Sequence, residues 1–250
     1  ALQCTFIRVA SRTWNANMAN VDSLRKRSGS GSGAHTQAAI PENAVAIKDT
    51  LTRTTFNHAK IAGVILVIVC AIIENIQSTE YGKFGVAAGT ITVPARLGWW
   101  LMELPVTVTF LHVFFVVGGP QQSRPVPRFL AAIMIIHYTY RGWVFPALIN
   151  VSRGATDNFS VVPALGGWVV TVLHGYLNAA WFVKFGTHLR DTRWFRDPRF
   201  IVGVCIYVVG LSQLIYHDKI VRDLRSTPGP RYRIPKGGTF EYVTAAAYLW

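Results

Sequence analysis

Glu103, His137, Tyr138 and Arg141 are the residues of this sequence most able to do chemistry. Each falls inside an apolar run, where an ionisable group costs several kcal/mol unless it is paired or hydrated. Glu103 sits in the stretch Trp99-Trp100-Leu101-Met102-Glu103-Leu104-Pro105. Pro105 leaves a backbone carbonyl one helical turn back without its donor, so a polar cavity is expected there. His137, Tyr138, Tyr140 and Arg141 cluster in a later apolar run. A Glu facing a Tyr across two helices can grip a carbonyl oxygen, with the phenol as hydrogen-bond donor and general acid. The same side chains also read as a Glu103 to Arg141 ion pair that only pins two helices, and spacing alone leaves both readings open.

His112, His137 and His174 fall in three different apolar runs, so two of them clamping a haem inside a bundle is a further reading. No pair of histidines has a ligand spacing and no HExxH pattern occurs, so no metal site is expected. Cys4, Cys70 and Cys205 are too far apart to suggest a disulfide framework or a zinc site, and read as packing residues. A second chemical region follows the last long apolar run: Tyr216-His217-Asp218-Lys219-Ile220-Val221-Arg222-Asp223-Leu224-Arg225, then Arg231-Tyr232-Arg233-Ile234-Pro235-Lys236-Gly237-Gly238. Arginines at helical spacing beside a Gly-Gly turn suit a phosphate-rich ligand, since guanidinium forks bind phosphate oxygens and glycine lets backbone N–H groups approach. A solvated basic loop touching lipid headgroups is the alternative.

The elements that must position these groups are membrane spans. Of the 250 residues 51% are hydrophobic and 15% charged, far from the composition of a water-soluble domain, and the mean hydropathy is +0.30. Five segments reach the length a helix needs to cross hydrocarbon: 59–77, 98–118, 128–149, 161–185 and 200–217. A sixth apolar segment opens near Thr239 and covers about half a span. The fold class expected is an all-α polytopic transmembrane bundle of five full spans and a partial sixth. It divides into a basic, largely extended arm over 1–58, with the run Ser28-Gly29-Ser30-Gly31-Ser32-Gly33, and a transmembrane domain over 59–250.

A formal net charge of +13 in such a protein points to anionic headgroups or phosphate ligands, and no nucleic-acid motif accompanies it. The arm is basic, Ser-rich and poor in acids, and the chain opens at Ala1, as an organellar transit sequence would after processing; a cytosolic tail is the alternative. Loops alternate sides, so one face carries Lys83, Arg96, Arg153 and the six basic residues between Asp218 and Gly238. The other carries the arm and Arg190, Arg193, Arg196 and Arg199. Both faces are basic, and the positive-inside rule does not fix the orientation.

Several short motifs follow one another in a fixed order. They are Tyr81-Gly82-Lys83, Pro94-Ala95-Arg96 with Trp99 and Glu103-Leu104-Pro105, His137-Tyr138 with Arg141, then Asn150 and Arg153. After them come Asp218, Arg222, Leu224 and Arg225, and finally Tyr232, Ile234-Pro235, Gly237-Gly238, Phe240 and Tyr242-Val243. In order and spacing this series resembles the steroid 5α-reductase family, polytopic NADPH-dependent enzymes that reduce a carbon–carbon double bond conjugated to a carbonyl. The resemblance implies that Glu103 and Tyr138 hold the substrate carbonyl. It also implies that Asn150, Arg153, Asp218, Arg222 and Arg225 belong to an NADPH site.

The chain departs from the family pattern where Met102 replaces a Gln, Leu214 an Asn, His217 a Ser, Val170-Thr171 an Asn-Gly and Ala247 an Asn. The family also continues beyond the position of Trp250. These departures lead to the expectation of a degraded cofactor site that binds no NADPH. The chain would then be a non-catalytic, reductase-like accessory subunit of a larger organellar membrane complex, with lipids and other membrane subunits as partners and the mitochondrial inner membrane as its location. The competing expectation is an active NADPH-dependent reductase of a steroid or lipid enone, which the family resemblance would place in the endoplasmic reticulum. A haem protein trails both.

Overall fold

The computed structural model describes residues 51–76, 89–150, 158–227 and 233–248. Five helices organise them: α1 Arg53–Ile76, α2 Ala95–Leu111, α3 Pro125–Thr139, α4 Val161–Ala180 and α5 Pro198–Ser226. Four of the helical stretches are long and apolar enough to cross a membrane: α1, α2 with its continuation to Val117, α4 with its continuation to Phe185, and α5. Their outward surfaces carry Ile61, Ile65, Ile68 and Ile72 on α1 and Val202, Ile206 and Val209 on α5, all exposed. Such a surface is costly in water and suits lipid, and the protein is an all-α polytopic membrane protein. Cys70 and Cys205 lie on this outward surface, which corrects their reading as packing residues.

The expected third span, 128–149, is helical from Pro125 to Leu148 but in three pieces: α3, a π-helical turn Tyr140–Val144 and a last α-helical turn Phe145–Leu148. Pro146 explains the break. It has no N–H to give the Gly142 carbonyl and its ring crowds that carbonyl, so the helix widens just upstream. α2 and α4 also end in π-helical turns, His112–Val117 and Trp181–Phe185, and each is released by a glycine, Gly118 and Gly186. α1 begins at Arg53, earlier than its apolar run suggests, because the Thr52 hydroxyl accepts from the Thr55 backbone N–H at 3.0 Å and caps the helix.

α2 and α4 form the central pair. Both spring from a two-stranded antiparallel ribbon, β1 Thr92–Pro94 against β2 Asn158–Ser160, with Val93 opposite Phe159. Each helix follows its strand directly, so both leave the same face of the bilayer in a fixed relative register. Along α4 the residues Gly167, Thr171, Gly175 and Ala179 recur every fourth position, a stripe of small side chains that lets two backbones approach. A Cβ on Gly175 would stand 2.6 Å from the Val106 carbonyl oxygen and 3.1 Å from the Phe110 nitrogen, and one on Gly167 would overlap the Met102 side chain. Thr171 adds a cross-helix hydrogen bond, its hydroxyl donating to the Met102 carbonyl at 2.8 Å. Beyond this crossing, Phe110, Phe114, Phe182, Val183 and Phe56 of α1 close an apolar core.

α5 is 29 residues long, about 43 Å, against a hydrocarbon thickness of roughly 30 Å. Its last turns therefore carry Asp218, Arg222 and Arg225 beyond the lipid core. Where it is described, over 233–248, the segment that follows opens no further α-helix. It folds as two 3-10 turns, Gly238–Glu241 and Ala246–Tyr248, laid against α5. Gly237 (φ 97°) and Gly238 (φ 57°) take left-handed conformations that break any helical entry, and the fully buried His217 anchors the turn. The His217 Nδ1–H donates to the Gln213 carbonyl at 2.6 Å, while Nε2 accepts from the Thr239 backbone N–H at 3.0 Å and lies 2.7 Å from its hydroxyl.

Gly175→Ala is expected to lower the stability of the detergent-solubilised protein by about 1–3 kcal/mol, since a methyl facing backbone carbonyl cannot be relieved by a rotamer change. Gly166→Ala, on the same helix with open space around its Cβ, is expected to be neutral or mildly stabilising. Thermal unfolding followed by circular dichroism compares the two.

Candidate active site

The polar groups of the spans meet where α2, α3, α4 and α5 come together. Glu103 faces inward from α2, one turn below Thr107 and two turns above the N-terminal end of the helix. The Arg141 Nε donates to Glu103 Oε1 at 3.3 Å, and the two side chains are only 14% and 12% exposed. The π-helical turn presents Arg141 to α2, and Gly142 beside it packs against the Glu103 backbone, where a Cβ would make ordinary contact with the Glu103 carbonyl at 3.5 Å. The guanidinium lies over two rings, 5.0 Å from the Trp99 centroid and 4.9 Å from that of Phe145. The ion pair read from the sequence as one of two alternatives is therefore present.

Tyr138 lies half-buried three residues before Arg141 and within electrostatic reach of Glu103, Arg141 and Tyr207. Its ring contacts those of His137 (4.9 Å between centroids) and His174 of α4 (5.7 Å). His174 is backed by Asn178, whose amide donates to the His174 carbonyl at 2.9 Å. Tyr207 of α5 donates to the Ile133 carbonyl at 3.1 Å and ties α5 to α3. Among the described residues the Tyr138 hydroxyl makes no hydrogen bond, and the Thr107 hydroxyl beside Glu103 is buried without a partner. His112 faces outward, away from this cluster.

The second group of predicted residues gathers where the chain leaves α3 and α5. The Tyr140 hydroxyl donates to Asp218 Oδ2 at 3.1 Å, the Asn150 amide donates to the Ser226 hydroxyl at 2.7 Å, and Arg225 reaches the Asn150 carbonyl at 3.4 Å. The Arg222 side chain, one turn after Asp218, is within electrostatic reach of it and makes no hydrogen bond among the described residues, while its backbone carbonyl accepts from the Ser226 hydroxyl. Arg233 closes the end of α5 by donating to the Leu224 and Thr227 carbonyls. Nearby, Arg96 donates to the Ile149 carbonyl at 3.1 Å. The Arg222 and Arg225 guanidinium groups, the first without a hydrogen bond among the described residues and the second held by a single long contact, form a donor set that suits phosphate oxygens. Gly237 and Gly238 do not serve as the open phosphate cradle read from the sequence: the Gly237 N–H donates to Glu241 Oε1 at 2.7 Å and Gly238 packs on His217. Arg153, the motif Tyr81-Gly82-Lys83, Tyr232 and the arm over 1–50 lie outside the described residues.

Comparison with known proteins bears on this arrangement directly. The family described as 3-oxo-5-alpha-steroid 4-dehydrogenase matches residues 157–250. The chain is 30% identical over 184 residues to 3-oxo-5-alpha-steroid 4-dehydrogenase 1 of Bos taurus, covering 73% of this chain and 69% of that protein. The chain belongs to the steroid 5α-reductase family. It is also 33% identical to the Rattus norvegicus 3-oxo-5-alpha-steroid 4-dehydrogenase 1, over 68% of this chain and 64% of that protein. A plant relative, steroid 5-alpha-reductase DET2 of Solanum lycopersicum, is 29% identical over 69% of this chain and 65% of its own length. The match thus spans about two thirds of these relatives.

Within the steroid 5α-reductase pattern, the positions that depart from it have other roles in this chain. Met102 fills the notch at Gly167, Leu214 is buried, and Thr171 makes the cross-helix hydrogen bond. His217, read as a lost hydrogen-bonding position, is a hub of three polar contacts. The sequence reading passed over Asn178, Thr107 and Tyr207, and took His174 only as a haem-ligand candidate. The signal for them was the one that singled out Glu103, a polar residue inside an apolar run.

Replacing Arg141 alone by Leu is expected to destabilise the protein by roughly 3 kcal/mol, because it leaves the Glu103 carboxylate without a counter-charge in a low-dielectric site. Removing both charges together, as Glu103→Leu with Arg141→Leu, is expected to recover much of that loss. Denaturation midpoints of the two variants and the parent measure the difference.

Proposed function

We propose that the chain is an NADPH-dependent reductase acting on a carbon–carbon double bond conjugated to a carbonyl, in a steroid or other lipid enone. The observation that carries this reading is the Tyr138 hydroxyl: it lies beside the Glu103–Arg141 pair with no protein partner among the described residues, a donor held ready for an external acceptor. Membership of the steroid 5α-reductase family supports the reaction class, and the surrounding apolar spans support a hydrophobic substrate that enters from lipid.

In this reading Tyr138 donates a hydrogen bond to the substrate carbonyl oxygen. As the double bond is reduced, negative charge builds on that oxygen. The phenol and the nearby Arg141 cation stabilise it where little water screens them. Glu103 holds Arg141 in place, and the Trp99 and Phe145 rings fix the plane of its guanidinium. NADPH, when bound, supplies the hydride. Arg222 and Arg225, with Asn150 and Asp218, would hold its phosphate and ribose groups, joined by Arg153.

A second reading, the non-catalytic accessory subunit of a larger organellar complex, draws on a different observation. The Glu103 carboxylate is already occupied by Arg141, and Met102 and Leu214 place apolar side chains where the family pattern has amides. Under that reading the basic arm directs the chain to the mitochondrial inner membrane, whereas the family resemblance favours the endoplasmic reticulum for a working reductase.

Tyr138→Phe is expected to lower turnover of a 3-oxo-Δ4 steroid by about 100-fold or more while leaving the unfolding midpoint unchanged, in line with the loss of a general acid. Equal turnover by parent and variant would remove Tyr138 from the chemistry.

A further inference from the structure

The loop between α4 and α5 contains a repeat that the reductase reading does not use. Arg190-Asp191-Thr192-Arg193-Trp194-Phe195 is followed by Arg196-Asp197-Pro198-Arg199-Phe200, an Arg-Asp-x-Arg unit recurring after six residues. Both copies fold alike. Asp191 accepts from the Arg193 backbone N–H at 2.9 Å and from its Nε at 2.8 Å. Asp197 accepts from the Arg199 backbone N–H and Nε, each at 2.9 Å, and from Nη2 at 2.7 Å. Each aspartate thus caps the element after it and engages the second arginine of its unit. The Arg199 hydrogen bond holds the Asp197 carboxyl down to about 2, so it stays ionised at any physiological pH. The first arginine of each unit, Arg190 and Arg196, is exposed, and its side chain has no hydrogen bond or ion pair among the described residues.

The loop is held by rings. Trp194 contacts His188 (5.3 Å between centroids) and Phe200 (6.4 Å), and Phe195 contacts Phe129 of α3 (5.7 Å). Arg199 lies 5.1 Å above the Trp194 ring. An open cavity of about 360 Å³ lies here, lined by Arg190, Arg193, Arg199 and Trp194 together with the carboxylates of Asp191 and Asp197; Arg196 stands outside its lining. Exposed Arg124 and Arg128 stand at the start of α3, the helix that Phe195 touches. The loop joins two spanning helices, so it sits at headgroup depth. Arg199 and Arg225 are separated along α5 by about 39 Å of helix, so the loop lies on the membrane face opposite the candidate cofactor residues.

We propose that this loop is a binding site for the phosphate headgroup of an anionic phospholipid in the leaflet opposite the cofactor residues. Arg190 and Arg196 provide the free guanidinium forks, the two Asp-x-Arg clamps hold the backbone that carries them, and Trp194 and Phe195 seat the loop in the interfacial layer. Because the clamps and the aromatic contacts order the loop before any lipid arrives, little ordering entropy is lost on binding. A soluble phosphate ester would use the same forks but gain nothing from the interfacial rings.

The test uses the full chain in mild detergent, titrated with an equal mixture of dioleoylphosphatidylglycerol and dioleoylphosphatidylcholine and read by native mass spectrometry. The expected result is preferential retention of phosphatidylglycerol, falling about fivefold for each arginine removed in Arg190→Gln and Arg190→Gln/Arg196→Gln. Lys219→Gln/Lys236→Gln, which removes the same charge from the opposite face, is expected to leave the preference intact. Both variants should match the parent in gel filtration and unfolding midpoint, since all four side chains are exposed. No preference in the parent, or a preference unchanged in the double arginine variant, would overturn the proposal. So would displacement of the lipid by equimolar glycerol 3-phosphate, which would mark a site for soluble anions instead.

Discussion

A carboxylate inside hydrocarbon must bring its counter-charge with it, and the Glu103–Arg141 pair is the point around which this bundle is arranged. Arg141 reaches Glu103 from the widened turn upstream of Pro146, so a proline that would simply kink a water-soluble helix here redirects a guanidinium. The Trp99 and Phe145 rings on that guanidinium come from α2 and from the last turn after α3, which couples the pair to both helices. Tyr138 then follows from helical geometry: three residues before Arg141, it faces the same interior and inherits the same electrostatic surroundings.

The close crossing of α2 and α4 makes that interior possible. Without a hydrophobic driving force between helices in lipid, association depends on backbone approach and on hydrogen bonds across the interface, and the Gly167, Thr171, Gly175, Ala179 stripe supplies both. The β1–β2 ribbon sets the register of the pair before either helix enters the membrane. α5 then spans from one chemistry to another. Its first residues belong to the arginine loop on one face, and its last turns carry Asp218, Arg222 and Arg225 on the other.

Four of the five full spans expected were legible because apolar length is a strong signal, and Glu103, Tyr138 and Arg141 because charge and phenol stand out against it. What was not legible depended on which side of a helix faces protein and which faces lipid. In a helix that is apolar all round, periodicity does not mark the inward side, so Cys70 and Cys205 looked like core residues although they face outward. The same blindness hid Asn178, which backs His174, and left His174 as a haem-ligand candidate although α4 turns its ring toward Tyr138. Thr171 and His217 looked like losses when compared with a motif, yet each makes hydrogen bonds with a neighbour that no motif records. The break at Pro146 was foreseeable from proline chemistry, but its consequence, the placement of Arg141, required the packed helices.

Equilibrium binding of NADPH to the full chain in lipid nanodiscs, followed through quenching of its tryptophan fluorescence, is the most direct measurement of whether this chain works as a reductase. The account predicts saturable binding in the micromolar range, weakened by about tenfold or more when Arg222 and Arg225 are both replaced by Gln. Absence of binding at NADPH concentrations far above the cellular level would contradict it and leave a bundle whose intramembrane charges serve only one another.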